Sequence, residues 1–91
     1  MTRANGPIAL KVIGGAIRQL REQKGLTLEG LAAHASISYQ YLSGIETGKE
    51  NFSIRILEKI ATALDIPVLA LISAAYDKDR SPGPDKAGSR R

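Results

Sequence analysis

The chain contains no cysteine, no tryptophan and a single histidine among its 91 residues. Without thiols it can form neither a disulfide framework nor thiolate metal sites, and His34 alone cannot make a metal cluster. It also has no glycine-rich phosphate loop of the required spacing and no serine with a base and an orienter. The paired carboxylates Asp77 and Asp79 lie in the polar C-terminal segment. We therefore expect no enzyme, no metal and no cofactor.

Aromatic residues are also scarce, at 4% of the chain, whereas hydrophobic residues as a whole reach 43%. The core is therefore expected to consist of Leu, Ile, Val and Ala, which favours helices packed on helices over a sheet. A chain of 91 residues has room for one domain with a modest core. The predicted fold class is all-α.

Long apolar runs are absent as well. Arg3 precedes the stretch "PIALKVIGGAI", as in a signal peptide, but Lys11 interrupts the stretch. Nothing approaches the run of about 18 apolar residues that a membrane span requires. The sequence predicts a cytoplasmic protein with no membrane partner.

The charge is mildly basic, with 13 Lys and Arg against 9 Asp and Glu for a net charge of +4. Half of that excess lies between Met1 and Tyr76, and the other half lies in the C-terminal segment. Such a balance permits a polyanionic partner without requiring one. Binding to a nucleic acid would therefore depend on where the charges lie.

The chain divides by composition into a flexible N-terminal arm (1–7), a helical domain (8–76) and a disordered polar tail (77–91). Hydrophobic periodicity and capping residues predict five helices in the domain. The pair Gly14-Gly15 weakens the first half of the first helix, which is expected to fray or bend. The predicted helices run from about Ile8 to Lys24, from the N-cap Thr27 to Ala33 or His34, from Tyr39 to Thr47, from Ile54 to Leu64, and from about Val68 to Tyr76.

The link between the second and third helices is very short. Only "ASI" separates the second helix from Ser38, which is the expected N-cap of the third. Two short helices joined by so tight a turn have the helix-turn-helix spacing.

The third helix has two different faces at about 100° per residue. Leu42 and Ile45 define an inward side, and Tyr39 lies on a flank. The opposite side carries small polar residues but neither Lys nor Glu, in contrast to an ordinary solvated helix. One interpretation is a solvated surface; the other, which we favour, is a face that contacts base edges. The residues of this outer side are Gln40, Ser43, Gly44 and Thr47.

The fifth helix has apolar residues nearly all round its axis. A terminal helix with no polar face has to bury two sides, one against its own domain and one against something else. The sequence therefore predicts a homodimer whose interface comprises Val68, Leu69, Leu71, Ile72 and Tyr76.

Three segments, "IRQLREQKGLTLEGLA", "YLSGIETGK" and "LEKIATALDI", resemble the helix-turn-helix domains of lambda-repressor and Cro type, the XRE-like prokaryotic regulators. The resemblance extends from about Ile13 to Ile72. The stretch "GKENFSIRILEKIATALDI" is also similar to controller proteins of restriction–modification systems. The resemblance implies a compact five-helix domain that places its third helix in the major groove of DNA.

Residue roles follow from the resemblance by position. It implies base contacts by Tyr39, Gln40, Ser43 and Gly44. It also implies a structural salt bridge between Arg21 and Glu46, so Glu46 is not a base reader. Phosphate contacts are implied at Thr27, Leu28, Thr47 and Lys49.

Two basic residues each have two possible roles. Lys49 is either a solvated charge beside Glu50 or a phosphate contact, and Arg55 near the start of the fourth helix is open in the same way. We favour the phosphate role for Lys49 and include Arg55 as a candidate.

Three positions depart from the family pattern. Gly44 stands where a long polar side chain often contacts a base, and Leu28 stands where a glutamine often holds the phosphate chain. Ser36 stands at a turn position where glycine is common. A left-handed conformation there would cost a non-glycine residue about 1 kcal/mol.

These observations favour a homodimeric transcriptional regulator that binds a near-palindromic operator in double-stranded DNA. The alternative is an antitoxin or adaptor, which would use the same fold to bind a protein partner. Steep salt dependence together with a sequence preference would distinguish the regulator from the adaptor.

Overall fold

The computed structural model describes residues 7–80, and within them it is entirely helical, with turns and no strand. This confirms the all-α class. No helix in this range is long and apolar enough to cross a lipid bilayer. The helices are α1 (Pro7–Gln23), α2 (Leu28–Ala35), α3 (Tyr39–Glu46), α4 (Ile54–Ala63) and α5 (Val68–Arg80).

Three helices begin at the capping residues that the sequence indicates. Each cap has extended backbone geometry, and its hydroxyl oxygen accepts a hydrogen bond from the amide three residues later. The donor–acceptor distances are 2.9 Å at Thr27, 3.0 Å at Ser38 and 3.1 Å at Ser53. Each cap satisfies one of the backbone amides that lack a partner in the first turn of a helix.

Helices α1 to α4 all end in the same hydrogen-bonded turn. A residue in the left-handed conformation donates its amide to the carbonyl three residues back, and the next amide bonds five residues back. The left-handed residues are Gly25, Ser36, Gly48 and Asp65. Ser36 does adopt the left-handed conformation considered for it, since its φ is 59°. In two of these turns the left-handed residue, Ser36 or Asp65, is not glycine, although glycine adopts this conformation more easily.

The core draws on all five helices and is aliphatic, as predicted. Its fully buried large side chains come from α1 to α5 and from the residue that follows α4. They are Ile17, Leu31, Leu42, Ile45, Leu57, Ile60, Leu64 and Leu71.

Helix α1 packs against α3 and α5, while α2 packs against α3 and α4. Helix α3 is therefore held between α1 and α2. Its contact with α1 depends on Gly14, where a Cβ would overlap the carbonyl oxygen of Ile45 and lie 3.0 Å from that of Glu46. Gly14 is thus a close-approach site, and α1 continues through it and Gly15 without a break. At Gly15 a Cβ would meet nothing within 4 Å.

Two predicted boundaries differ from the structure. Pro7, which was assigned to the N-terminal arm, is the first residue of α1, a position where a missing amide proton costs nothing. Helix α5 continues from Tyr76 to Arg80, into the segment that was predicted to be disordered. The composition changes where hydrophobic packing ends, but backbone hydrogen bonds can extend a helix beyond that point. The rest of the predicted arm (1–6) and tail (81–91) lies outside the described residues.

Candidate nucleic-acid interface

The turn between α2 and α3 contains only Ser36, Ile37 and Ser38. Ser36 reverses the chain through its left-handed backbone, and the amide of Ile37 bonds to the carbonyl of Ala32 at 3.0 Å. Ser38 then caps α3. Each end of the turn is hydrogen-bonded to a helix, so the orientation of α3 relative to α2 is set locally.

The inner face of α3 is anchored to α1 by an ion pair between Arg21 and Glu46. Arg21 Nε donates to one carboxylate oxygen at 2.8 Å, and Nη2 donates to the other at 3.1 Å. The guanidinium also donates from Nη1 to the carbonyl of Leu26 at 2.9 Å. Only 12% of the Arg21 side chain and 4% of the Glu46 side chain are exposed. The structure thus contains the pair that the resemblance implied.

This pairing has an electrostatic consequence. Hydrogen bonding to Glu46, followed by its charge and those of Glu22 and Glu29, raises the pKa of Arg21 above its ordinary value, against the opposing effect of burial. Arg21 therefore keeps its charge throughout the pH range in which proteins fold. The bidentate geometry also fixes the rotation of α3 about its axis more firmly than apolar contacts alone would.

The outer face of α3 points away from the domain. Tyr39 is 45% exposed and Gln40 is exposed, while Ser43 and Gly44 are half-buried. Neither Tyr39 nor Gln40 makes a side-chain hydrogen bond to another of the residues 10–76. The four predicted base-contacting residues therefore share one accessible surface, and its two leading side chains are available to a partner. The flanking Tyr41 instead donates from its hydroxyl to the carbonyl of Asn51 at 2.8 Å.

The two threonines predicted to contact phosphate differ in what their hydroxyl groups can offer. Thr47 donates its hydroxyl to the carbonyls of Ser43 and Gly44, at 3.0 and 3.2 Å. Thr27 accepts from the amide of Gly30 and retains its own proton. Because a phosphate oxygen needs a donor, Thr27 is ready to contact it, whereas Thr47 would have to give up bonds within its helix.

Leu28 has no polar side chain and packs partly buried against the core. A phosphate contact there would use its backbone amide, one of the unpaired donors at the start of α2. Lys49 and Arg55, the candidate cations, are both exposed.

Sequence reasoning missed two residues at the end of α3. A Cβ at Gly48 would lie 3.2 to 3.3 Å from atoms of Lys11, so this lysine lies beside the carboxyl end of α3. Glu50 packs its side chain onto Gly44. The available signal was the Thr47-Gly48 helix end, which turns the following residues back over the last turn.

The predicted dimer surface requires one correction. Leu71 is completely buried in the core of its own domain, so it cannot contact a partner subunit. It lies on the side of α5 that faces the core, which helical periodicity alone does not identify on an apolar helix. Leu69 and Tyr76 are 72% and 40% exposed, and Val68 and Ile72 are partly buried against the core.

Comparison with known proteins identifies relatives of this arrangement. The model of the Helix-turn-helix family HTH_3 matches residues 17–78. The HTH-type transcriptional regulator SinR of Bacillus subtilis (strain 168) is 38% identical over 69 residues, which cover 75% of this chain and 62% of SinR. The chain therefore spans about three fifths of the length of that relative.

Two solved structures have the same fold. The crystal structure of the clp gene regulator ClgR from Corynebacterium glutamicum matches with a TM-score of 0.74 and 32% identity, covering 81% of this chain and 95% of that one. The restriction–modification controller protein C.AhdI from Aeromonas hydrophila matches with a TM-score of 0.69 and 39% identity, covering 70% of this chain and 97% of that one.

Proposed function

This chain belongs to the XRE-type helix-turn-helix family, and we propose that it binds double-stranded DNA sequence-specifically as a homodimeric transcriptional regulator. One observation carries the proposal. The inner face of α3 is held to α1 by the Arg21–Glu46 ion pair, whereas its outer face carries exposed polar side chains. A rigid helix with small side chains can approach the base edges in a major groove closely. Gln40 can pair with adenine through two hydrogen bonds.

Phosphate contacts would surround this reading face. Thr27 and the amide of Leu28 lie at the start of α2, and Lys49 follows α3. Arg55 lies in the first turn of α4. Such contacts supply much of the affinity and fix the register of the protein on the duplex. With a net charge of only +4, a single protomer brings few of them, so a second protomer would strengthen binding considerably.

The surface proposed to hold the second protomer is the exposed stripe of α5. Leu69, Ile72 and Tyr76 lie at i, i+3 and i+7 and therefore share one side of the helix. Leu69 is largely exposed, and Ile72 beside it is partly buried. A partner that removes the Leu69 side chain from water would therefore be stabilised by burial of its apolar surface. A symmetric dimer would place its two reading helices about 34 Å apart, in successive major grooves of a near-palindromic site.

The function is tested by selecting random and genomic duplexes on the purified protein at physiological salt. We expect one near-palindromic motif whose affinity falls steeply as salt rises. Failure to enrich any sequence, with no salt-dependent binding, would favour the antitoxin or adaptor function, and capture of a protein partner would then be the next experiment.

The dimer is tested separately by Leu69→Glu. Two buried carboxylates in a symmetric contact should yield a monomer by light scattering, with lost operator binding. Ala70→Glu is the matched control, because Ala70 is also exposed but lies about 100° round the helix from Leu69. A Leu69→Glu protein that remains dimeric would rule out this interface.

A further inference from the structure

The side chain of Glu50 occupies the space in which a side chain at Gly44 would begin. A Cβ built on Gly44 would overlap Cγ of Glu50 and lie 3.2 Å from its Cβ and 3.5 Å from its Cδ. Gly44 belongs to the outer face of α3, about 40° from Gln40 on the side toward Tyr41 on the helical wheel. The missing side chain at position 44 is therefore replaced by one that arrives from the following loop.

The backbone holds Glu50 in this place. The carbonyl oxygen of Gly44 accepts hydrogen bonds from the amides of Lys49, at 2.8 Å, and Glu50, at 3.1 Å. Gly48 makes this return possible through its left-handed φ of 81°. The start of the Glu50 side chain is consequently tied to the last turn of α3 and moves with the reading helix.

The carboxylate of Glu50 has no cation to neutralise it among the residues 10–76. No Lys, Arg or His nitrogen of that range lies within 4 Å of it, and the residue is exposed. A carboxylate packed for a structural ion pair would have such a partner, as Glu46 does. An unpaired negative charge on a surface proposed to face a polyanion weakens binding to every sequence, unless it makes a specific contact.

We propose that Glu50 is a specificity-determining residue, whose carboxylate accepts a hydrogen bond from the exocyclic amine of a cytosine in the major groove. This inference rests on the proposed function. An ionised carboxylate only accepts hydrogen bonds, and cytosine presents only the N4 amine in that groove. Adenine places an acceptor beside its amine, and guanine and thymine present acceptors. Glu50 should therefore favour cytosine and reject guanine and thymine most strongly.

The test is selection of random duplexes on the full-length protein and on matched variants. The native protein should prefer cytosine over guanine or thymine by about tenfold at one position of each half-site. Glu50→Ala should lose that preference and keep the others. Glu50→Gln should accept additional bases there, since an amide both donates and accepts. Glu58→Gln removes the same charge from an exposed residue of α4 and should retain the native motif.

Gly44→Ala provides a second, independent variant. The added methyl group would displace Glu50, so this variant should lose the same cytosine preference as Glu50→Ala. Combining the two changes should then alter the motif no further. Thermal unfolding of each variant would show that the domain remains folded.

The other outcomes separate the inference from the function on which it rests. If Glu50→Ala binds every sequence more tightly by the same factor and keeps the native motif, Glu50 only repels phosphate and the inference is overturned, while the regulator function stands. If the native protein selects no motif, the proposed function fails and the inference fails with it.

Discussion

The two faces of α3 differ in burial and in hydrogen bonding. Leu42 and Ile45 on the inner face are completely buried, and Glu46 is held by both nitrogens of a guanidinium fork. On the outer face, Tyr39 and Gln40 are exposed and make no side-chain hydrogen bond to any of the residues 10–76. The inner face is specified by contacts within the domain, whereas the outer face is the surface proposed to contact DNA. Substitutions should therefore separate folding from recognition.

The largest effect is expected where α1 touches the inner face. Gly14→Ala places a methyl group against two backbone carbonyls, of Ile45 and Glu46, which no change of rotamer can relieve. Helix α1 would have to move away from α3, so we expect a loss of about 3 kcal/mol or more in the free energy of unfolding. Urea denaturation followed by circular dichroism measures it.

The neighbouring glycine is the control. A Cβ at Gly15 meets nothing within 4 Å, so Gly15→Ala should raise stability by up to about 1 kcal/mol through helix propensity alone. A similar loss in both variants would mean that the close approach at Gly14 is not the cause.

The next effect concerns the buried ion pair. Arg21→Ala leaves the Glu46 carboxylate buried without its partner, which should cost about 2–4 kcal/mol. Because the folded-state pKa of Arg21 is raised, the stability that its charge contributes is fully present at neutral pH and is lost as the pH rises through that pKa. Arg18→Ala removes the exposed pair with Glu22 and should change stability by no more than about 0.5 kcal/mol. Equal losses of stability in Arg21→Ala and Arg18→Ala would contradict the distinction between the buried and the exposed ion pair.

On the outer face, Gln40→Ala should leave the unfolding transition nearly unchanged, because the side chain is exposed and makes no side-chain hydrogen bond to any of the residues 10–76. Binding to the selected duplex should weaken by about 1–3 kcal/mol, with discrimination lost at one base position. Affinities for a panel of single-base variants of the duplex measure this. An equal loss on all sequences would show that Gln40 positions the protein and does not read a base.

The smallest effect is expected in the turns that end α1 and α2. Ser36→Gly should stabilise the domain by up to about 1 kcal/mol, since glycine adopts the left-handed conformation without strain. Gly25→Ala should do the opposite, because its φ is 72° and a Cβ there meets no neighbour within 4 Å. Thermal unfolding measures both, and the selected DNA motif should be the same for each. Stabilisation by both changes would contradict the strain argument.

The fold could be predicted where its causes are local. The caps Thr27, Ser38 and Ser53 act on amides three residues away, so each helix start could be inferred from a few neighbouring letters. The role of Gly14 and the burial of Leu71 depend on helices far along the chain. No local pattern distinguishes a close-approach glycine from a weak point in a helix, or a core leucine from an exposed one on an apolar helix.

The candidate site, like the fold, could be predicted from the sequence only where local patterns determine it. The outer face of α3 was inferred from helical periodicity; of its residues, Gln40 and Thr47 are exposed, and Ser43 and Gly44 are half-buried. Glu50 was not identified, because its position depends on the chain reversing at Gly48 and returning to Gly44. Helical periodicity ends where the helix ends, so it cannot place a side chain that comes from the loop.

The packing of α1 also sets an order of events during protein synthesis. A ribosome releases α1 before the other helices of residues 7–80, yet α1 packs on α3 and on α5, which emerges after the other four. Helices α2 to α4 can pack among themselves in the meantime, while the support for α1 is still incomplete. A chain whose translation stops before Val68 would carry every base-contacting candidate but lack the helix that steadies α1. Helix α5 therefore supports α3 indirectly, because α3 is anchored to α1 and α1 packs on α5.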